Sequence, residues 1–261
     1  MRIEEFYEWI NGVAPKSISD EFCAKYGAYD NSGLLVNAGE EVERALFVLD
    51  LTEGAIKKAQ AEGANVIVTH HPVIYGPIKS VDGKIAKCLR AGISVISMHL
   101  NLDGVQGGID ESLALALCKA CGMESVESQT LLHPLTQGGY GRVYEVKPTK
   151  GKDLVFALKK ELTTDKIWLF GDEERTILKV ASFCGSGIDD GAIAFAKANG
   201  ADMVVSADWK HHQLLGVLEE GMTAVQLTHY ASEAYGFKKY YEKISQAAKI
   251  VCSYYEDEEL L

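Results

Sequence analysis

The apolar residues of this 261-residue chain fall into two recurring patterns. Short unbroken runs, such as Val66-Ile67-Val68 and Met203-Val204-Val205, suit strands covered on both faces. Between such runs lie alanine-rich stretches with helical spacing. Each opens on an acidic residue, where the helix dipole favours it, and closes at a glycine. Two of these helix-plus-strand stretches, residues 53–69 and 190–206, align with each other, and eight of their 17 positions carry the same residue. The next stretch repeats too: Gly92 to His99 resembles Gly221 to His229, with one residue added. Helical pieces around 86–90 and 213–218 link the strands of each copy.

Strand–helix–strand written twice argues for α/β layers with largely parallel strands. Right-handed crossovers would then place adjacent strand ends on one edge. We expect two internally duplicated α/β lobes with mostly parallel mixed sheets, the first over residues 1–125 and the second over 126–261, with approximate boundaries. The join falls within Gly122–Gly141, where Gly138-Gly139-Tyr140-Gly141 and the nearby Pro134 and Pro148 read as a flexible connection. Residues 142–146 and 177–183 read as strands, 152–162 as a helix, and the tail of 229–241 as helical.

Candidate chemistry sits where the strands stop. Thr69-His70-His71-Pro72 ends one apolar run. His99-Leu100-Asn101-Leu102-Asp103 and His229-Tyr230-Ala231-Ser232-Glu233 end two more, each with the form H-x3-D/E. Imidazoles and carboxylates together are ligands for zinc, manganese and iron, so the pattern predicts two divalent ions per chain in a cleft at the strand ends between the lobes. Neighbouring residues on a strand point to opposite faces, so His70 and His71 can share a cleft only where the backbone turns. The expected arrangement gives His71 and Asp103 to one ion, His70 and His229 to the other, and Glu233 to both. The segment after His99 reads as a strand end entering a loop, and His99 itself is open to three functional roles (ligand, orienting group or proton carrier) or to the plainer one of a histidine hydrogen-bonded at a strand end. Asp208 and His212, four apart after the second copy's strand, are candidates for acid–base work; an exposed polar turn is the plainer alternative.

The remaining composition narrows the picture. A formal net charge of −11, with no block of Lys or Arg, argues against nucleic acid as a partner. No run of about 18 apolar residues is present, and acidic residues occupy the first positions, so the expectation is a soluble, cytoplasmic protein. Cys118 and Cys121 lie on a helical stretch without a second cysteine pair and read as buried structural thiols. Gly185-Ser186-Gly187 reads first as a tight turn, and residues 256–259 as a solvated acidic tail.

Taken with Asp30-Asn31-Ser32-Gly33-Leu34 and Gly185-Ser186-Gly187, the three histidine segments resemble the Nif-three-like dinuclear-metal family, whose members are also called GTP cyclohydrolase 1 type 2 homologues. The resemblance covers nearly the whole chain, in the short form without an inserted domain. It implies two interlaced α/β lobes, metal ligands at His70, His71, Asp103, His229 and Glu233, a ring-shaped homohexamer, and a metal-dependent hydrolase acting on a nucleotide or related heterocycle, with GTP conversion to dihydroneopterin triphosphate and formate as the specific activity. His99, Asp208 and His212 are then the proton-handling candidates. A non-catalytic metal-handling or scaffold protein is the alternative. Where the family has Thr-Gly-Asp or Thr-Gly-Glu, this chain has Ser206-Ala207-Asp208.

Overall fold

A computed structural model describes residues 1–257, 259 and 260. In chain order the elements are α1 (Ile3–Asn11), α2 (Lys16–Tyr26), β1 (Gly33–Val36), β2 (Arg44–Val48), α3 (Glu53–Glu62), β3 (Val66–Thr69), α4 (Gly83–Arg90), β4 (Ser94–Ser97), α5 (Leu100–Gly104) and α6 (Ile109–Ala120). They continue as β5 (Glu127–Leu135), β6 (Gly138–Lys150), α7 (Gly151–Glu161), β7 (Ile167–Phe170), β8 (Thr176–Ser182), α8 (Asp190–Ala198), β9 (Met203–Ser206), α9 (His211–Glu219), β10 (Thr223–Leu227), α10 (His229–Ala247) and β11 (Val251–Tyr254).

The chain divides into two compact units. One comprises Met1–Gly108 and Phe237–Glu256; the other comprises Ile109–Gly236 and Asp257–Leu261. The division therefore falls before α6 rather than near residue 125, and again inside α10. The glycine-rich segment 138–141 is not a linker: it opens β6, which pairs antiparallel with β5 from Leu135↔Gly138 to Glu127↔Glu145.

The first unit holds a sheet of order β1-β4-β3-β2-β11. Strands β2, β3, β4 and β11 run parallel, while β1 pairs antiparallel with β4. Leu46, Val48, Ile67 and Val95 pack there with Ala55, Ile56 and Ala59 of α3. Helix α3 starts at Thr52, whose side chain accepts from the Ala55 amide at 3.0 Å. It stops at Gly63 (φ +67°), where a left-handed residue lets the Ala64 amide reach back to the Ala59 carbonyl at 2.8 Å.

The second unit repeats this plan. Its sheet order is β5-β6-β8-β9-β10-β7, with β8, β9 and β10 parallel and β7 antiparallel to β10. In each unit, then, an antiparallel strand preceding the parallel set in sequence pairs with an end strand of that set, β1 with β4 and β7 with β10. Helix α8 is capped by Asp189 accepting from Ala192 at 2.7 Å, and its end is closed by the Ala201 amide on the Ala196 carbonyl at 3.0 Å. These are the caps of α3 transposed, and the internal duplication read from 53–69 and 190–206 is a duplication of structure.

Three smaller readings change. Residues 100–104 form a helical turn instead of a loop. The C-terminal acidic segment is not simply solvated: β11 pairs with β2, Glu256 and Asp257 are half-buried, and the Asp257 amide donates to the Tyr230 hydroxyl at 2.8 Å. Glu258 lies outside the described residues. Cys118 and Cys121 are both buried, and desolvation pushes the Cys118 thiol up to about 12. Because the thiolate is the reactive form, Cys118 is expected to stay unmodified by a thiol reagent in the folded protein near pH 8 and to react once denatured, which peptide mass mapping reads directly. No helix among the described residues is long and apolar enough to cross a membrane.

Candidate metal centre

In the first unit, the C-terminal ends of β2, β3 and β4 deliver Asp50, His70 with His71, and His99 with Asp103. The backbone solves the problem of the adjacent histidines. After Thr69 the chain leaves the ladder, and the amides of both His70 and His71 donate to one acceptor, the Leu49 carbonyl, at 3.1 and 3.2 Å. The Thr69 hydroxyl donates to the His71 carbonyl at 2.8 Å and fixes the turn. Both rings then lie on one side, with centroids 4.8 Å apart. His99 precedes the helical turn α5, and the Asp103 amide donates to the His99 carbonyl at 2.9 Å, which stacks the two side chains one turn apart.

Each of these rings is anchored through Nδ1. His70, fully buried, donates to the Met98 carbonyl at 2.7 Å; His71 pairs with Asp50 and His99 with Asp30, both at 2.7 Å. A carbonyl or carboxylate at Nδ1 places the proton there and makes Nε2 the lone-pair atom, the arrangement that metal-ligating histidines use. His70, His71 and His99 each offer one nitrogen within 4.8 Å of the other two, and His70 Nε2 lies 3.4 Å from Asp103 Oδ1. Two ligand atoms bonded at about 2.0–2.1 Å to one tetrahedral ion are themselves about 3.3 Å apart, so this separation fits a shared cation. Asp30 is well suited to hold His99. Burial pushes its carboxyl up, but hydrogen bonds from His99, Ser19 and Ser32 outweigh that and hold it well below the usual carboxylate range.

In the second unit, the ends of β8, β9 and β10 deliver Gly185 with Ser186, Asp208, and His229 with Glu233. His229 Nδ1 pairs with Asp208 Oδ2 at 2.6 Å, and its Nε2 lies 3.2 Å from Glu233 Oε1, one helical turn on. This is the same anchored-histidine geometry as in the first unit, and the separation again fits one cation. Asp208 is itself held by the Ser186 hydroxyl at 2.5 Å; burial pushes its carboxyl up, and the bonds from Ser186 and His229 more than offset this, leaving it lowered. The left-handed conformation at this turn falls on Asp208 (φ +53°), a residue type that tolerates it, and not on Ala207. Alanine at 207 therefore needs no left-handed backbone.

The Gly185 turn lies hard against Glu233 and His229. Its amide donates to Ser232 Oγ at 2.9 Å, so it is spent on structure instead of an anion, and a Cβ on Gly185 would collide with Glu233 Oε1. Glu233 itself is buried, at 3% exposure. His212 stands apart: it is exposed in the first turn of α9, and among the described residues no hydrogen bond or ion pair joins it to Asp208 or His229. The structure thus places Asp208 against His229 and leaves His212 apart from both.

Asp30 and Asp50 were not legible as site residues. Asp30 lies in a segment that reads as a turn. Asp50 follows the apolar run 45–49 as the histidines follow theirs, and that position was its only signal. Asp208→Asn keeps shape but removes the charge behind His229. It is expected to weaken zinc binding about 10–100-fold with little change in melting temperature, as competition against a chromogenic chelator measures.

A family model described as Duf34/NIF3 (NGG1p interacting factor 3) matches residues 1–257. A protein of Methanocaldococcus jannaschii named GTP cyclohydrolase 1 type 2 homolog is 31% identical over 251 residues, covering 94% of this chain and 95% of that one. A Clostridium perfringens protein of the same name is 28% identical, covering 94% and 92%. Among solved structures, reduced HcgD from Methanocaldococcus jannaschii matches at TM-score 0.78 and 28% identity over 97% of both chains. A Bacillus cereus protein related to NIF3 matches at TM-score 0.81 and 18% identity over 98% of this chain and 97% of that one, a likeness of fold.

Proposed function

Because the chain belongs to the Duf34/NIF3 family, and because its histidines are anchored at Nδ1 as metal ligands are, we propose that it is a metal-dependent hydrolase acting on a nucleotide or related heterocycle. The observation that carries this reading is the trio His70, His71 and His99, each offering a nitrogen within 4.8 Å of the others beside the buried carboxylate of Asp103. His70, His71 and Asp103 from one unit, and His229 and Glu233 from the other, are the proposed ligands of two divalent ions. Such ions supply Lewis acidity and make water a nucleophile near neutral pH.

The protein's own groups set the geometry. Asp50, Asp30 and Asp208 hold the rings of His71, His99 and His229 in one tautomer. His99 is either a further ligand or the group that carries a proton at the substrate; Asp208 acts through His229. Relatives bear the name GTP cyclohydrolase 1 type 2 homolog, so GTP ring opening with loss of formate is the specific reaction proposed, although a shared fold does not dictate a substrate. A ring hexamer in the cytoplasm completes the proposal.

The test measures formate from GTP and a nucleotide panel with protein whose metal content has been quantified. Release is expected to stop on chelation and to return with zinc, manganese or iron. Fully metallated protein that consumes none of the panel would replace this reading with a metal-handling one.

A further inference from the structure

Beside the first unit's histidines, two loops are laced together. Asn31 Nδ2 donates to the Ile74 carbonyl at 2.6 Å. The lacing brings Tyr29 and Tyr75 edge to face, with ring centroids 5.4 Å apart and planes at 73°. Both rings are more than half exposed, at 54% and 56%. Each is also tied to the histidines: Tyr29 precedes Asp30, which holds His99, and Tyr75 lies four residues after His71. Pro72 and Pro77 bracket Tyr75 and restrict its loop, so little order need be gained on binding.

We propose that Tyr29 and Tyr75 form a stacking platform for the purine base of the substrate, a proposal that rests on the nucleotide reading above. Aromatic faces accept a base through its π-face whatever its hydrogen-bonding pattern. The surrounding segments, residues 28–33 and 71–78, contain no Lys or Arg, and the chain carries a formal net charge of −11. These two segments themselves offer a phosphate no cationic side chain, whereas their paired rings offer a flat neutral base a partner. Stacking selects purine over pyrimidine by area and does not separate guanine from adenine.

The experiment titrates GTP, ATP, CTP and inorganic tripolyphosphate calorimetrically, in the cold, into the metal-loaded full-length protein and into Tyr29→Ala, Tyr75→Ala and the double Tyr→Phe variant. Each alanine is expected to weaken GTP and ATP alike by about tenfold, within the range known for base–aromatic stacking, and CTP by less. The double phenylalanine variant should bind as wild type, with metal content and tripolyphosphate binding unchanged. Alanine variants that hold GTP as wild type does would overturn the platform and leave the nucleotide reading standing. Wild-type protein that binds GTP no better than tripolyphosphate would sink both. Loss of GTP binding accompanied by a changed mass in light scattering would assign the rings to contact with a second copy and also overturn the proposal.

Discussion

Glu233→Ala is expected to lower metal content below one ion per chain and formate release by more than a hundredfold. Losing a carboxylate that merely supports a ligand costs about 10–100-fold in metal affinity or activity, and Glu233 is proposed as a ligand itself. It is buried, and its Oε1 lies 3.2 Å from His229 Nε2. Glu233→Gln isolates the charge: it keeps an oxygen for coordination but not the negative charge that helps neutralise a dication, so it should retain folding and recover only part of the metal. Elemental analysis and a formate assay on the same preparations decide the matter. Wild-type metal content in the alanine variant would remove Glu233 from the ligand set.

Arg142→Ala should be among the most destabilising single changes in the second unit. Arg142 lies on β6 with 1% exposure, and its Nε donates to Asp110 at 2.8 Å, Nη1 to Gln129 at 2.7 Å and Nη2 to the Gly139 carbonyl at 3.2 Å. Asp110 is fully buried at the start of α6. Burial pushes its carboxyl up, and only the guanidinium and backbone donors oppose that. Truncating the arginine strands the buried acid, a loss of about 3–5 kcal/mol, which for a chain this size lowers Tm by roughly 10 °C. Arg142→Lys should recover little, since an ammonium cannot repeat the three-way fork. Replacing both partners by apolar residues of similar volume should cost far less than either single change. A thermal melt of Arg142→Ala within about 2 °C of wild type would show that the pair does not hold this unit together.

The candidate site was legible because its residues follow apolar runs. Strand ends at one edge of a parallel sheet are where side chains converge, and His70, His71, His99, Asp103, His229 and Glu233 could be located by that rule. What was missed depends on pairing across the sheet. Asp50 reaches His71 because β2 lies beside β3, with Val48 opposite Thr69, and nothing near Asp50 in sequence announces that neighbour. Asp208 was paired with His212 by spacing alone; the left-handed turn at Asp208 directs it to His229 instead. The glycine-rich segment 138–141 looked flexible because glycine carries no information about a partner strand, and β5 supplied one.

The chain by itself determined the alternation of buried runs and capped helices, its duplication, and the residue types that could hold a cation, because burial and capping are local demands written in local residues. Tertiary structure decided which group stands behind each anchored imidazole, how two successive histidines come to face one side, and where the chain divides. Those outcomes depend on strand order and backbone turns, which join residues far apart in sequence and leave no periodic trace.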